Sequence, residues 1–337
     1  MQEVVNPKKQ ILEQIENNGG WVNSHTHLDR SQTLTQTVWG QTGARLQDKW
    51  GYVDQFKSEA SVDDIVANMS QTIEDQISQG VQAIGSFIDC DSVVRDKSLR
   101  AAEIVRERFR GRVALRFMSQ PIKGLVDPAE IAWFEHAADF VDIIGGLPEK
   151  DGNPESAADN SHLHFHKIFE TAAETGKPLH IHIDQLNRPD QRDTERALDF
   201  VERYELYGRV CLIHCISLAA QSENYRLEIY ERMVKLGVGV ITCPTAWIDS
   251  RRTNQMAPTH NAVTAVDEMV PRGVTVALGT DNIADIYKPF TDGDMWTELR
   301  FLLETTHFYD IKALARVSST NGLKVLGLSD RPRPIYA

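Results

Sequence analysis

Four histidines and an aspartate lie at the ends of short apolar segments, where their side chains are suited to binding a metal ion. Two of them form the pattern His25-Thr-His27, and in an extended chain residues two apart point to the same side. The others are single residues at the ends of later segments: His182, His214 and Asp281. Imidazole nitrogens with one carboxylate make a donor set that suits Zn²⁺ or Fe²⁺. These residue types predict a divalent metal site, provided that the fold brings them together.

The elements that must position these residues follow a regular order. Apolar segments without clean alternation predict eight strands buried on both faces: Trp21–His25, Ala83–Ile88, Val113–Met118, Phe140–Gly145, Pro178–Ile183, Val210–His214, Val238–Thr242 and Thr275–Gly279. Helical stretches lie between them, among them Ser61–Gln79, Ser98–Arg110, Ser161–Glu174, Thr194–Tyr207 and Ser222–Leu236. This α/β order favours a (β/α)₈ TIM-type barrel over the alternative, a doubly wound open sheet. In a barrel the carboxyl ends of the strands meet at one mouth, so the five residues would converge there.

The remaining histidines are predicted to lie outside the metal site. His180 points to the same side as His182 but one step deeper in the strand, where it supports the ligands or packs in the core. The other histidines are expected on the surface or in loops: His136, His162, His164, His166, His260 and His307.

Composition narrows the classes of partner. The chain has 337 residues and a formal net charge of -12, so it is expected to bind neither nucleic acid nor a membrane surface. A small-molecule substrate fits this charge. No apolar run approaches the length of about 18 residues that a membrane span needs. The start of the chain lacks a signal-peptide pattern, and its four cysteines include no CxxC pair, so we expect a reduced, cytoplasmic protein.

These motifs resemble those of the amidohydrolase superfamily and, within it, the cytosine deaminase-like group. The resemblance runs from His25-Thr-His27-Leu-Asp29 to Asn321-Gly-Leu-Lys-Val-Leu-Gly327 and so covers nearly the whole chain. It implies a metal-dependent hydrolase that cleaves a carbon–nitrogen bond of a small nitrogen-containing substrate. The fourth strand ends in Ile144-Gly-Gly-Leu-Pro148, where no lysine is placed to bridge two ions, which favours a single ion, Zn²⁺ or alternatively Fe²⁺.

The resemblance also implies roles for individual residues. The metal ligands are His25, His27, His182 and Asp281, of which Asp281 is also the general base. His214 contacts the attacking water or the oxygen of the substrate. Gln120, after the third strand, resembles the deaminase glutamine that binds the amide edge of a pyrimidine. The loop after the eighth strand, which includes Asn282 and Tyr287, lines the pocket.

Gln185 departs from the deaminase pattern. The corresponding deaminase residue, three after the histidine of the fifth strand, is a glutamate that shuttles protons to a ring nitrogen. An amide neither gives up nor accepts a proton near pH 7. The substitution favours an amide, imide or urea-type substrate, to which Gln185 donates or from which it accepts a hydrogen bond. The alternative is a deaminase of an amino-heterocycle in which Asp281 and His214 carry all proton transfers.

The ends of the chain and the loop after the first strand also carry predictions. Relatives usually add a small β-sandwich, which we expect to be absent or vestigial here. Residues 1–337 then form a single barrel domain, with a helical extension at 1–19 and a tail at 328–337. A barrel without the sandwich could cover its exposed flank by forming a homo-oligomer. The long segment Ser31–Phe56 is expected to be an irregular lid, in which Trp39 stacks on a flat ligand or packs the lid onto the barrel.

Overall fold

Eight parallel strands form the centre of the computed structural model, which describes residues 5–43, 46–152, 159–185, 187–249 and 263–329. The strands are β1 Trp21–Thr26, β2 Val81–Asp89, β3 Ala114–Gln120, β4 Ile144–Gly146, β5 Leu179–Ile183, β6 Val210–His214, β7 Gly239–Thr242 and β8 Val276–Leu278. They pair in chain order, as β1 to β3 and as β4 to β8.

Two further contacts close the sheet into a barrel. A parallel bridge between Met118 and Ile143 joins β3 to the start of β4, and another between Thr26 and Asp281 joins β1 to the end of β8. Beside the second bridge, Asn23 donates to the Thr280 hydroxyl at 2.9 Å and accepts from the Thr280 amide at 3.1 Å. The predicted (β/α)₈ barrel is therefore confirmed, and the open-sheet alternative is wrong.

Helices follow the strands and form the outer layer. In the described residues they are α1 Pro7–Asn17, α2 Gln36–Trp39, α3 Leu46–Glu59, α4 Val62–Ser78, α5 Lys97–Arg108, α6 Pro128–Phe140, α7 Ser161–Thr175, α8 Asp193–Arg203, α9 Glu223–Leu236, α10 Val266–Met269, α11 Met295–Thr306, α12 Ile311–Val317 and α13 Thr320–Val325. Ser61 begins α4 with a capping box, in which its hydroxyl accepts from the Asp64 amide. Among these helices none is both long and apolar enough to cross a bilayer.

The structure corrects two predictions, the start of the fourth strand and the irregular character of the segment after the first strand. The predicted fourth strand starts at Phe140, but Phe140 ends α6 and the strand begins at Ile144. The aromatic and β-branched residues there fit either element, and helix packing decides. The segment Ser31–Phe56, predicted to be irregular, contains all of α2 and most of α3, whose mixed polarity hides their helical period.

The core has an inner and an outer part. Apolar side chains inside the barrel, such as Phe87, Met118 and Ile213, pack with Leu326 and Leu328, which follow α13. A much larger apolar layer lies between the strands and the surrounding helices. At the mouth, a Cβ on Gly279 would lie 2.8 Å from the Cβ of His25, so only glycine lets β8 approach this histidine so closely.

Candidate metal centre

Four histidines converge at the carboxyl end of the barrel. His25 lies in β1 and His27 directly after it, while His182 lies in β5 and His214 ends β6. The ring of His25 is 4.8 Å from that of His182, 5.1 Å from that of His27 and 5.8 Å from that of His214, measured between centroids. All four side chains are buried. The structure thus brings together the histidines that the sequence singles out.

Asp281 completes the cluster from the loop after β8. Its Oδ1 lies 3.2 Å from Nε2 of His27 and 3.4 Å from Nε2 of His25. Two overlapping triads result, His25–His182–His214 and His25–His27–Asp281, and within each the donor atoms lie within 4.8 Å of one another. Donors from separate strands that face one small volume can surround a single ion.

The protonation states suit metal binding. Burial lowers the pKa of His27 to about 3 and that of His214 to about 4, and it lowers the pKa of His182 well below 6.5. Burial works against ionisation of Asp281, but hydrogen bonds from His25 and His27 outweigh it and hold the pKa of this carboxyl well below its usual range. Neutral imidazoles beside an ionised carboxylate are the forms that bind a divalent cation.

Unsatisfied nitrogens support the same conclusion. Nδ1 of His25, of His27 and of His214 is in each case buried without a hydrogen-bond partner among the described residues. Buried polar atoms of this kind are rare unless a ligand or ion satisfies them. The donor set is that of nitrogen- and oxygen-ligated Zn²⁺ or Fe²⁺. The residues present therefore fit a metal ion.

Backbone strain marks the same strand ends. Asp184 after β5, His214 at the end of β6 and Asp281 after β8 have φ angles of 52°, 76° and 61°, in the left-handed region that side chains other than glycine rarely adopt. The Asp281 amide donates to the His25 carbonyl at 3.0 Å, and the Thr26 hydroxyl donates to the Asp281 carbonyl at 2.8 Å. Such strain persists only where surrounding bonds enforce it, and it is typical of functional sites.

The residues predicted to contact substrate differ in their burial and in their hydrogen-bond partners. Gln120 ends β3, and its Oε1 is buried without a hydrogen-bond partner among the described residues. The Tyr287 hydroxyl is also buried and has no hydrogen-bond partner among the residues that the structure describes. Asn282, in contrast, donates to the Asp285 carboxylate. Trp39 is 43% exposed at the end of α2, where its ring contacts Phe290 edge to face at 5.5 Å.

Gln185 has a partner that the sequence did not reveal. Its Nε2 donates to Oε2 of Glu149 at 3.2 Å. Burial raises the pKa of Glu149 to about 7, although hydrogen bonds from Gln185 and Gln191 oppose the shift. Glu149 follows β4 by three residues, and this position at a strand end was the one available signal in the sequence.

A buried charge cluster beside the site was also missed. Lys57 of α3 lies 3.1 Å from the Asp89 carboxylate and also pairs with Asp91, while Arg30 lies 3.3 Å from Asp89. The Asp89 amide donates to Asp29 at 2.7 Å. Asp29 belongs to the His-x-His-Leu-Asp motif, but its partners come from distant segments. Spacing alone could not identify them.

The other histidines mostly match expectation, with one correction. His180 is buried, and its Nε2 lies 3.0 Å from the Val325 carbonyl, which agrees with a core position. His164, predicted at the surface or in a loop, is wholly buried instead: its Nδ1 lies 2.6 Å from Asp151 and its Nε2 accepts from the Leu147 amide at 3.0 Å. The buried face of α7, set by its tertiary packing, explains the error. His260 lies outside the described residues.

The chain is similar in sequence or fold to several known proteins. An uncharacterized protein of Haemophilus influenzae is 40% identical over 269 residues, which are 78% of this chain and 95% of that protein. A pterin deaminase of Rhizobium rhizogenes is 23% identical over 315 residues, 91% of this chain and 69% of that protein. The solved 5-methylcytosine deaminase from Klebsiella pneumoniae superposes with a TM-score of 0.83 and 22% identity, over 92% of this chain and 75% of the other.

The pattern of the amidohydrolase family matches residues 19–331, which include every strand of the barrel and all five residues of the histidine–aspartate cluster. This family is metal-dependent, in agreement with a cluster that can hold an ion. The chain therefore belongs to the amidohydrolase family, and the predicted hydrolase activity on carbon–nitrogen bonds is confirmed.

Proposed function

We propose that the protein hydrolyses an amide, imide or urea-type carbon–nitrogen bond in a small, cyclic, nitrogen-containing substrate. The observation that carries this proposal is the buried cluster of four histidines around Asp281, whose carboxyl pKa is held well below its usual range. In the proposed site His25, His27, His182 and Asp281 would hold one Zn²⁺ or Fe²⁺. When bound, such an ion supplies Lewis acidity and lowers the pKa of a coordinated water to near 7.

The protein's own side chains then have separate tasks. Asp281 accepts a proton from the attacking water and returns it to the leaving nitrogen, which its low pKa supports because the carboxylate is ionised before the reaction. His214 donates a hydrogen bond to the substrate oxygen. Gln120, with its unpartnered Oε1, binds the amide edge of the substrate. The barrel wall excludes bulk water from these contacts.

The bond changes are those of a simple hydrolysis. The water oxygen bonds to the carbonyl carbon and the carbon–nitrogen bond breaks. One proton passes to the nitrogen, and the second leaves with the new acid. A cyclic substrate thereby opens to a single amino- or ureido-acid product, with no co-reactant besides water.

Deamination of an amino-heterocycle is the second candidate. Two of the similar proteins are deaminases by name, acting on a pterin and on 5-methylcytosine. The Gln185 amide weighs against this chemistry because it cannot protonate a ring nitrogen. The two candidates differ in product, since deamination releases ammonia whereas ring opening does not.

Product analysis tests the proposal. Metal-loaded protein is incubated with cyclic amides, cyclic ureides and amino-heterocycles, and each mixture is analysed for ammonia and for the mass gain of one water. Ring opening of a cyclic amide or ureide without ammonia is the expected result. Ammonia release confined to the amino-heterocycles would overturn the proposal in favour of the deaminase.

The cellular setting is part of the same proposal. All four cysteines, which are Cys90, Cys211, Cys215 and Cys243, are buried free thiols. Burial raises the pKa of the Cys90 thiol to about 12, so it stays protonated and unreactive. Buried thiols without disulfides fit a reducing compartment, and we place the protein in the cytoplasm.

A further inference from the structure

A chain of polar side chains runs between the loops that follow β4, β5 and β6. The Ser217 hydroxyl donates to Oε1 of Gln191 at 2.6 Å, and Gln191 is hydrogen-bonded in turn to Glu149. Glu149 also accepts from Nε2 of Gln185 at 3.2 Å. This series of hydrogen-bonded side chains thus ends at Gln185, the residue that departs from the deaminase pattern.

Chemistry fixes the direction of each bond in this chain. The Arg188 amide donates to the Ser217 oxygen at 3.2 Å, which leaves the Ser217 hydroxyl proton for Gln191 Oε1. With its oxygen used in this way, Gln191 presents its NH₂ group to Glu149. Above the Glu149 pKa of about 7 the carboxylate is ionised and only accepts hydrogen bonds, so in that form Gln185 must also present its NH₂ group to Glu149.

The loop that carries Gln185 is itself held firmly. Asp184 turns the backbone with a φ of 52°, and its carboxylate accepts from the amides of Asp193 at 2.9 Å and Thr194 at 3.0 Å. On the other side, Nδ1 of His182 lies 3.3 Å from the Gly146 carbonyl, which ties β5 to the strand end that precedes Glu149. The Ser217 amide, in the loop after β6, also donates to the Asp184 carbonyl at 2.9 Å. Gln185 is therefore positioned three residues beyond a proposed metal ligand by contacts with the strand end before Glu149 and with the loop after β6.

We propose that Glu149 is a positioning residue, which holds the Gln185 amide so that its Oε1 accepts a hydrogen bond from a ring N–H group of the substrate. This inference rests on the proposed function and narrows its substrate class to cyclic lactams and ureides that carry an N–H group at that position. An amino-heterocycle has a ring nitrogen lone pair there, which an oxygen acceptor repels. The deaminase glutamate and Gln185 would thus select opposite substrates.

Matched pairs of probes test the inference. The pairs are uracil with cytosine, hypoxanthine with adenine and cyanuric acid with melamine. At the ring nitrogen beside the carbonyl or amino carbon that distinguishes the two members, the first member has an N–H group and the second has a lone pair. Binding to zinc-loaded and to metal-free protein is measured by calorimetry at pH 8, where Glu149 is mostly ionised. We expect the N–H member of at least one pair to bind tenfold or more tightly than its partner. If no pair shows this preference, including because none binds, the inference is overturned.

Variants of Glu149 test whether this residue orients the Gln185 amide or only stabilises the fold. Glu149→Gln keeps the shape of the side chain but offers Gln185 both a donor and an acceptor, so the preference should fall about tenfold, the scale of one lost hydrogen bond. The double variant Glu149→Gln/Gln185→Glu moves the carboxyl to the deaminase position and should shift the preference toward the amino-heterocycle. The control Glu135→Gln changes an exposed residue on α6 paired with Lys167 and should leave the preference unaltered.

The outcomes distinguish this inference from the proposed function. If lactams or ureides are hydrolysed while Glu149→Gln keeps the full binding preference at an unchanged melting temperature, the inference fails and the proposed function stands. If the wild-type protein releases ammonia from the amino-heterocycles instead, the proposed function fails as well. A preference that the double variant does not shift would also contradict the role given to Glu149.

Discussion

At the scale of single residues, Asp281 connects the structure to the proposed chemistry. Its carboxyl is held within 3.2 Å and 3.4 Å of two imidazoles, and its backbone adopts a strained left-handed conformation that bonds to β1 enforce. These contacts keep the carboxylate ionised and aimed into the cluster. A general base that must also bind an ion needs both properties.

Replacement of Asp281 by Asn should abolish turnover while the protein stays folded. The amide keeps the shape but cannot accept the proton from water, so we expect kcat/KM to fall by at least about 10³-fold, near the upper range for general acid–base catalysis. Steady-state kinetics with circular dichroism measures this. The exposed Asp139→Asn on α6 serves as the control and should retain full activity. Near-normal turnover by Asp281→Asn would contradict the assigned role.

At the scale of elements, buried ion pairs fasten helices to the mouth of the barrel. Burial works against the charge on Lys57, but the carboxylates of Asp89 and Asp91 outweigh it and raise the pKa of the lysine. Lys57 thereby ties α3 to the end of β2. Similarly, Lys288 lies 3.7 Å from Glu298 of α11 and donates to the Thr280 carbonyl next to Asp281. Buried ion pairs thus connect α3 and α11 to residues at the mouth of the barrel.

Lys57→Met should lower the free energy of unfolding by about 3–5 kcal/mol, because two buried carboxylates lose their common cation. Urea unfolding followed by fluorescence measures the change. Lys167→Met removes a lysine from a surface pair with Glu135 and should cost no more than about 1 kcal/mol. An equal loss of unfolding free energy in both variants would contradict the prediction that the buried ion pairs of Lys57 stabilise the protein more than the surface pair does.

The sequence predicts strand ends better than it predicts partners between elements. His25, His182, His214 and Asp281 could be found because each closes an apolar segment, and a barrel gathers such ends at one mouth. Lys57 and Glu149 could not, since their partners lie on other elements and no spacing rule links them. The helix α3 escaped prediction for a related reason: its polarity is mixed, and part of its contact with the barrel is the buried charge of Lys57, whose partners lie on another element.

At the scale of the whole molecule, one closed barrel carries the cluster and the polar chain around its mouth. Closure depends on the bridges of β3 with β4 and of β8 with β1, and the second bridge involves Asp281 itself. Closure of the barrel therefore brings Asp281 beside the histidines of β1. Groups that are buried in this process also make stability depend on pH.

Glu149 should contribute a measurable part of that pH dependence. Its pKa is about 7 in the folded protein against 4.5 ordinarily, so the folded state binds the proton more tightly. The free energy of unfolding of the wild type, relative to that of Glu149→Gln, should therefore fall as pH rises from 4.5 to 7 and then level off. The total change is at most about 3 kcal/mol. Urea titrations of both proteins across this range check it, and a flat difference would contradict the raised pKa.

In the proposed site His25, His27, His182 and Asp281 hold one catalytic ion, and the metal content of the purified protein is the decisive measurement. Elemental analysis should find one equivalent of zinc or iron per chain, which a chelator removes together with the activity and which the variant His182→Ala does not retain. A wild-type protein that hydrolyses its substrate without a stoichiometric metal, or that binds two ions per chain, would contradict the account.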